Sequence, residues 1–496
     1  MAERLPLVRM TGVTKTYAGI TALADVDFEV HAGEAVCLAG ENGSGKSTLI
    51  KLLAGVERPD LGAIEVDGTL HPAMTPTAAA AAGIAVIFQD FSLFPNLSVA
   101  ENIAFSAELS TGVKLFRGRR VRALAQRTLE RVGVPMALSA PVERLPVAHK
   151  QLVAICRALA SEARLIVMDE PTTALTDREV RALLAIIRRL KADGVAVIFV
   201  SHKLAEVLEV SERVVVLRNG RKVAEGPASE FDARSLTHHM TGRDLTLSGP
   251  VPLPAAAPVL LTVDGLTKPG AFQDVNFTLR AGEVLGISGL LGSGRTALAK
   301  ALFGLVRPSA GRVTLDGFEV PLGNPIGAAE VGIGYVPEDR LTEGLFLTQS
   351  ILRNIGVGRV EAHARGPLLD LDALAADARD WLARLRVKAP DPSSAVRSLS
   401  GGNQQRVVLA RWLARAPRVL ILNGPSVGVD VGSKAEIHAI IADLAAQKLG
   451  VIVISDDLSE LLATCHRILV MVEGRIVEDI AGADATEEVL ARRLAS

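Results

Sequence analysis

Short apolar runs alternate with amphipathic stretches along most of this chain. Examples of the apolar runs are LIVMD at Leu165 to Asp169 and VAVIFVS at Val195 to Ser201. Runs of this length are typical of buried strands, and the stretches between them have the spacing of amphipathic helices. This alternation predicts an α/β fold built on a parallel sheet.

The whole pattern occurs twice. The segment Ala32 to Gly68, with its glycine-rich loop, recurs 249 positions later as Ala281 to Gly317. Landmarks in the later part of each copy are offset by 254 positions, so the second copy contains a few extra residues. A repeat of this length indicates a duplicated domain.

A short segment rich in proline and alanine separates the two copies. It covers residues 248–258, and its composition predicts an extended, semi-rigid linker. We therefore expect one domain at residues 1–247 and a second at residues 259–496, because a chain of 496 residues is too long for one average domain.

Charge and cysteine content narrow the classes of function. The formal net charge is −1, so no overall positive charge favours nucleic acid or an anionic membrane surface. The three cysteines, Cys37, Cys156 and Cys465, are far apart and predict buried thiols rather than disulfides or zinc ligands. The longest apolar stretch, Ala78 to Phe88, is well short of the roughly 18 residues that span a bilayer. We expect a cytoplasmic protein whose contact with a membrane is peripheral.

The first copy contains a phosphate-binding glycine loop of the form GxxxxGK[ST], placed between an apolar strand and a helix. Its residues are Gly40, Glu41, Asn42, Gly43, Ser44, Gly45, Lys46 and Ser47, and Thr48 follows them in the expected ATP-binding set. Backbone N–H groups and the helix dipole attract phosphate, Lys46 reaches the β and γ phosphates, and Ser47 is an expected Mg²⁺ ligand. A chance glycine loop is the alternative.

Two adjacent carboxylates, Asp169 and Glu170, end the apolar run LIVMD. Paired carboxylates at a buried strand end are costly unless they meet a cation or a reacting proton. Asp169 is therefore an expected Mg²⁺ ligand, and Glu170 is expected to polarise the attacking water. A solvent-facing pair at a strand end is the alternative where no phosphate loop is present.

The chain resembles the ATP-binding subunits of ABC transporters. The second copy carries Leu399 to Gln405 (LSGGNQQ), which matches the LSGGQ signature except at its last position. The resemblance implies that Ser400, Gly401 and Gly402 bind the γ-phosphate of ATP held by the opposing domain. A loop with an ordinary helix N-cap is the alternative.

Three further residues of the first copy are assigned by the same resemblance. Gln89 corresponds to the residue that senses the γ-phosphate and Mg²⁺, and His202 to the switch histidine that holds the γ-phosphate. Tyr17 corresponds to the aromatic residue that stacks on adenine, although a single tyrosine is equally compatible with a core position.

The second copy departs from the pattern at each catalytic position. Arg295 replaces Lys46 and is followed by Thr296, Glu338 replaces Gln89, and Asp456 replaces His202; Asn423 and Gly424 replace the carboxylate pair. The first copy departs only at its signature, which begins Leu145, Pro146, Val147 and Ala148.

Because paired ABC domains bind each ATP between the glycine loop of one and the signature of the other, these departures sort into two composite sites. One site combines the intact loop and carboxylates of the first copy with the intact signature of the second. The other site combines the altered residues of both copies. We therefore expect the two halves of one chain to pair, with one hydrolytic and one degenerate site.

Motifs spread over nearly the whole chain resemble the sugar-importing ABC subfamily with two fused halves. They are GRTAL after the second loop, Tyr335 to Arg340 (YVPEDR), Ser398 to Arg406 (SLSGGNQQR) and Met240 to Leu245 (MTGRDL). The resemblance implies two tandem ABC ATPase domains, each with an α/β core, an antiparallel β subdomain and a helical subdomain. It also implies ATP and Mg²⁺ as cofactors, with a peripheral position on the inner face of the cell membrane.

The implied partners are integral-membrane permease subunits, expected as a dimer, and indirectly a solute-binding protein. The segment Phe91 to Ile103 is expected to contact the permease, with an ordinary core role as the alternative. A soluble tandem ABC ATPase that acts on ribosomes or DNA needs a basic or inserted arm, and none is visible, so we expect no nucleic acid partner. The first copy has the complete set of ATP-binding and catalytic residues, which argues against a regulator that binds ATP without turnover.

Overall fold

The chain divides into two compact units, Met1–Leu245 and Thr246–Ser496. The structure is a computed structural model that describes residues 5–17, 19–71, 74–88, 90–110, 118–172, 175, 177–201, 209–242, 252–254, 256–290, 292–365, 368–389 and 391–494. Part of the expected linker, residues 248–251 and 255, lies outside the described residues. The domain limits drawn from the sequence therefore stay a prediction.

The first unit alternates strands and helices, as the apolar runs predict. Its strands are Val8–Tyr17, Ile20–Val30, Ala35–Ala39, Leu61–Val66, Thr69–Leu70, Ile84–Ile87, Leu165–Asp169, Ala196–Val200, Arg213–Arg218 and Arg221–Pro227. Its helices are Lys46–Leu53, Pro76–Ala81, Val99–Ser110, Gly118–Val132, Val147–Ala160, Asp177–Ala192 and Ala233–Thr241, with short 3-10 turns at Val142–Arg144 and Ala228–Glu230.

A six-stranded sheet forms the centre of the first unit. Its order is Arg221–Pro227, Arg213–Arg218, Ala35–Ala39, Ala196–Val200, Leu165–Asp169 and Ile84–Ile87. All neighbouring pairs are parallel except the first, which is an antiparallel hairpin. The parallel strands therefore present their carboxyl ends at one edge of the sheet, where α/β proteins place their ligands.

Two smaller layers complete the first unit. An antiparallel sheet has the order Ile20–Val30, Val8–Tyr17, Leu61–Val66 and Thr69–Leu70. The helices Val99–Ser110, Gly118–Val132 and Val147–Ala160 pack on one another and share a core of small and branched side chains. The unit thus contains an α/β core, an antiparallel sheet and a group of helices.

The second unit repeats this arrangement. Its strands are Val259–Lys268, Phe272–Arg280, Val284–Ser288, Ala310–Leu315, Phe318–Glu319, Ile333–Val336, Ala364–Arg365, Leu368–Leu369, Val419–Asn423, Gly450–Ile454, Arg467–Val472 and Arg475–Ala481. Its helices are Arg295–Leu302, Pro325–Glu330, Ile351–Gly356, Leu371–Arg384, Gly401–Leu413, Val431–Ala446, Leu458–Thr464 and Glu487–Leu494. Shorter turns cover Arg340–Gly344, Val357–His363 and Val396–Ser398.

The two larger sheets of the second unit have the same topology as those of the first, and the short strands Ala364–Arg365 and Leu368–Leu369 form an additional antiparallel pair. Its six-stranded sheet has the order Ile333–Val336, Val419–Asn423, Gly450–Ile454, Val284–Ser288, Arg467–Val472 and Arg475–Ala481. Its antiparallel sheet has the order Phe272–Arg280, Val259–Lys268, Ala310–Leu315 and Phe318–Glu319. The duplication inferred from the sequence is therefore a duplication of fold.

Burial agrees with the expected cysteine chemistry. Cys37, Cys156 and Cys465 are all buried and free, and burial raises the pKa of each thiol to about 12. Among the described residues, no helix is both long enough and apolar enough to cross a membrane.

Candidate functional site

The glycine loop of the first unit has a backbone that only glycine adopts easily at three positions, Gly40, Gly43 and Gly45. Gly40 has φ of +151° and Gly45 has φ of +109°. A Cβ atom on Gly45 would lie 2.7 Å from the carbonyl oxygen of Ala22, and one on Gly40 would overlap the carbonyl oxygen of Leu217. The loop therefore turns tightly into the helix that begins at Lys46, whose first N–H groups lack partners within the helix.

Lys46 is held inside this loop. Its side chain is 8% exposed, and its Nζ donates to the carbonyl oxygens of Gly40 at 2.7 Å and Glu41 at 2.8 Å. Ser44 is also buried, and its Oγ has no hydrogen-bond partner among the described residues. The positive charge of Lys46 and the hydroxyl of Ser44 thus lie together in a loop lined with backbone N–H groups. This combination of donors is suited to binding a phosphate.

The other loop residues lie nearer the solvent. Asn42, Gly43 and Ser47 are exposed, whereas Thr48 is half-buried in the first helical turn. An added Cβ on Gly43 would meet no atom within 4 Å, so space remains above the loop. The room and exposure fit a ligand that approaches from the solvent side.

Asp169 and Glu170 lie at the same edge of the sheet as the glycine loop. Asp169 pairs with Val200 of the neighbouring strand, and the Glu170 N–H donates to the Val200 carbonyl at 3.0 Å. That neighbouring strand pairs in turn with Ala35–Ala39, which leads into the loop. The fold therefore brings the expected phosphate loop and the expected carboxylates together.

The electrostatics of this edge are unfavourable for two bare carboxylates. Burial raises the pKa of Asp169, the negative charge of Glu170 raises it further, and the positive charge of Lys46 partly opposes both effects. Glu170 also has φ of +47°, a conformation that non-glycine residues rarely adopt. Such a strained, charged position is typical of functional sites.

Gln89 and His202 lie outside the described residues. The strands that precede them, Ile84–Ile87 and Ala196–Val200, both belong to the central sheet and end at its ligand-binding edge. Their assigned roles stay predictions.

Tyr17 ends the first strand of the chain and is 37% exposed. The Nζ of Lys15 lies 5.4 Å from the centre of its ring. The side chain is therefore not a core residue, and its ring is accessible to a flat ligand.

The equivalent loop of the second unit is arranged differently around Arg295. This side chain is 7% exposed, and its Nη1 donates to the Gly289 carbonyl at 2.7 Å. Its Nη2 lies 3.3 Å from a carboxylate oxygen of Asp456, which occupies the position of His202. The guanidinium is thus already paired with an anion, and that anion would repel a phosphate.

The strand end of the second unit lacks the carboxylate pair. Asn423 is 2% exposed and neutral, and Gly424 has φ of +60°, close to the backbone of Glu170. A Cβ on Gly424 would lie 3.2 Å from Cγ of Glu338, so the absent side chain leaves room for Glu338. Thr296, Glu338 and Asn423 line a pocket of about 450 Å³.

The signature segments differ between the two units. Ser400 precedes the helix Gly401–Leu413, and its Oγ accepts from Asn403 Nδ2 at 2.9 Å instead of capping the helix. A Cβ on Gly402 would overlap the side chain of Ser433. Ser400 thus occupies the N-cap position without a side-chain bond to the helix N–H groups, and its phosphate-binding role stays a prediction.

In the first unit the corresponding helix, Val147–Ala160, is preceded by Pro146, which has no N–H and no hydroxyl. A phosphate at this helix would find fewer donors than at the helix that follows Ser400.

One residue of the second unit escaped the sequence reasoning. Arg340 belongs to the YVPEDR motif, which served only as a family resemblance, yet its guanidinium contacts the loop at Val427 and Gly428. Only the unlike residue at the equivalent place of the first copy, Phe91, hinted at a special role.

The chain is similar to known proteins over almost its whole length. The sequence profile of the family described as ABC transporter matches residues 23–173 and 272–427. Ribose import ATP-binding protein RbsA 2 of Streptomyces avermitilis is 43% identical over 97% of this chain and 96% of its own length. Ribose import ATP-binding protein RbsA of Jannaschia sp. is 42% identical over 99% and 95%.

Among solved structures, a dimeric ATP-binding cassette bound to ADP and Pi is 27% identical and has a TM-score of 0.41. The match covers 45% of this chain and 98% of that one. The family profile and the full-length relatives together show that this chain belongs to the ABC transporter family, as an ATPase with two fused ATP-binding domains.

Proposed function

We propose that this chain drives a sugar importer by hydrolysing ATP at one composite site. The proposal rests on a contrast between the two units. In the first, Lys46, Asp169 and Glu170 lie at one edge of the central sheet. At the equivalent edge of the second, Arg295 forms an ion pair with Asp456. In this proposal, Ser400, Gly401 and Gly402 of the second unit complete the site that binds the ATP held by the first unit.

The chemistry of the first unit follows from its charges. The loop N–H groups and Lys46 bind the phosphates and stabilise the charge that develops on them during transfer. Glu170 accepts a proton from the attacking water, so that ATP and water give ADP and phosphate. Gln89 and His202 are proposed to contact the γ-phosphate.

Mg²⁺ fits this edge by the chemistry of its donors. Mg²⁺ is usually held by one or two carboxylates together with substrate phosphates. Its charge would favour the ionised form of Asp169, whose pKa is raised by burial and further by the negative charge of Glu170. Among the described residues, no group of three or more His, Cys, Asp or Glu able to hold a metal occurs. We propose that the phosphates of ATP supply further ligands. We assign Asp169, Ser47 and Gln89 to the ion, which supplies charge neutralisation when bound.

The transported solute is proposed from the relatives. Two full-length relatives are named as ribose import proteins, so we propose a sugar, and ribose as the first to test. The proposed partners are a permease of two membrane subunits, on whose cytoplasmic side this chain docks, and a solute-binding protein that delivers the sugar.

The test is sugar-stimulated ATPase activity of the chain reconstituted with its co-purifying permease and binding protein in lipid vesicles. We expect ribose to stimulate turnover, and Glu170→Gln to bind ATP normally while losing turnover by about 10²–10⁴-fold. Stimulation by ribosomes or DNA but by no sugar would overturn the transport proposal. A Glu170→Gln rate above half that of the wild type would overturn the catalytic assignment.

A further inference from the structure

Arg340 joins three segments of the second unit. Its Nη1 and Nη2 donate to the carbonyl oxygens of Val427 at 2.5 Å and Gly428 at 2.9 Å. Its Nε lies 3.5 Å from Oε1 of Gln404, in the helix that follows Ser400. The planar fork of an arginine suits this arrangement, because it donates to several acceptors from a fixed geometry.

The three segments meet next to the signature. Val427 and Gly428 follow the strand that ends at Asn423, and Arg340 itself follows Glu338. A Cβ on Gly401 would lie 2.7 Å from Arg340 Nη2 and 2.7 Å from the Gly428 carbonyl oxygen. Glycine is thus required at the first helical position, because the guanidinium and the loop occupy the space of a side chain.

The first unit lacks both halves of this contact. By the repeat, Phe91 stands at the position of Arg340, and Val147 stands at the position of Gly401. A valine there would clash with an arginine placed in the same way. Arginine and glycine therefore occur together at these positions in the unit with the intact signature, and neither occurs there in the unit whose signature contains Pro146.

The surroundings keep Arg340 in place. Burial lowers the pKa of its guanidinium, and the negative charge of Asp339 partly opposes this. Arg340 also lines the pocket that contains Glu338 and Asn423. The positive charge of Arg340 is stabilised mainly by the carbonyl dipoles of Val427 and Gly428. A neutral side chain at this position would leave these carbonyl oxygens without a hydrogen-bond donor.

We propose that Arg340 is a positioning residue for ATP hydrolysis, which fixes the start of the signature helix against the loop at Val427 and Gly428. It touches no substrate and acts through Ser400 and Gly401, which must present their donors to the γ-phosphate. The inference rests on the proposed function, in which this signature completes the catalytic site of the first unit.

The test compares Arg340→Met, Arg340→Lys and the control Arg415→Met in the full chain. Arg415 lies in the same unit and donates to the Gly358 carbonyl at 3.0 Å, so the control substitution removes a hydrogen bond to a backbone carbonyl elsewhere in the unit. The readouts are kcat and KM for ATP, the affinity for ADP, and the unfolding temperature. ADP lacks the γ-phosphate and therefore reports binding that does not use the signature.

We expect Arg340→Met to lower kcat about tenfold, because misplaced donors stabilise the transition state less. Arg340→Lys should recover part of the rate, since an ammonium still donates to a carbonyl. The affinity for ADP at the intact site should stay within about twofold of the wild type for all three variants, because the altered side chains belong to the second unit and not to the glycine loop of the first. The unfolding temperature should fall no further for Arg340→Met than for Arg415→Met.

A kcat for Arg340→Met within twofold of the wild type would overturn the inference. So would equal losses of kcat in Arg340→Met and Arg415→Met, or a loss of ADP affinity that matches the loss of kcat, because these indicate general damage. If Glu170→Gln is inactive while Arg340→Met is normal, the positioning role fails and the catalytic assignment stands. If Glu170→Gln is active, the proposed function itself fails.

Discussion

At the scale of single residues, Glu170 combines chemistry with backbone strain. Glu170 has φ of +47°, and Gly424 at the equivalent position of the second unit has φ of +60°. Glycine adopts this conformation without strain, whereas glutamate does not. Burial raises the pKa of the adjacent, half-buried Asp169, and the negative charge of Glu170 raises it further. The first unit therefore keeps a glutamate where glycine would be more stable, which is typical of catalytic positions.

We predict that Glu170→Gly raises the free energy of unfolding of the first unit by about 1 kcal/mol while abolishing turnover. The gain comes from relief of strain and of repulsion between the two carboxylates. The measurement is chemical denaturation without nucleotide. Glu162→Gly is the matched control, because Glu162 has φ of +56° but is exposed. A smaller gain for Glu170→Gly than for Glu162→Gly would contradict the argument.

At the scale of elements, the segment after Gln89 is fixed by one buried amide. The Asn102 side chain is fully buried and bonds the backbone of Phe94 in both directions, at 2.9 and 3.0 Å. Asn354 bonds Phe346 in the same way in the second unit. The Phe94 ring contacts Phe105 at 4.4 Å between centroids but is still 39% exposed.

We predict that Phe94→Ala keeps the fold and the basal ATPase rate but loses stimulation by sugar, because an exposed ring on a rigid segment suits a permease contact. Phe318→Ala, at a more exposed phenylalanine of the second unit, should leave stimulation unchanged. Asn102→Ala should instead unfold the segment, at a cost of about 2 kcal/mol or more from unsatisfied backbone groups. Loss of folding in Phe94→Ala would favour the core alternative.

The same elements show how far sequence reasoning reached. Local patterns predicted the strand Leu165–Asp169, because a strand buried on both faces is a continuous apolar run. They also predicted the helix after the glycine loop, because the loop motif lies directly before it in the sequence. The contact of Arg340 with Gly428 joins positions far apart in sequence, so no local pattern reveals it. The Arg295–Asp456 pair escaped prediction for the same reason, although both residues were flagged as departures.

At the scale of the whole molecule, duplication has left two copies of one fold with different chemistry. The first unit keeps Lys46 and the two carboxylates to which we assign ATP binding and hydrolysis, and the second keeps the signature with the glycines that Arg340 and Ser433 require. We propose that the intact parts pair into one site, which would explain why neither copy is complete. It stays a prediction until the two sites are tested separately.

The most direct measurement is kcat in saturating ATP for two double variants of the full chain. Lys46→Ala with Glu170→Gln removes the phosphate-binding charge and the base of the proposed hydrolytic site, and we predict that it abolishes turnover. Arg295→Ala with Asn423→Ala alters only the proposed degenerate site, and most of the wild-type rate should remain. If the first double variant still turned over at about half the wild-type rate, the two sites would be equivalent and the account would be wrong.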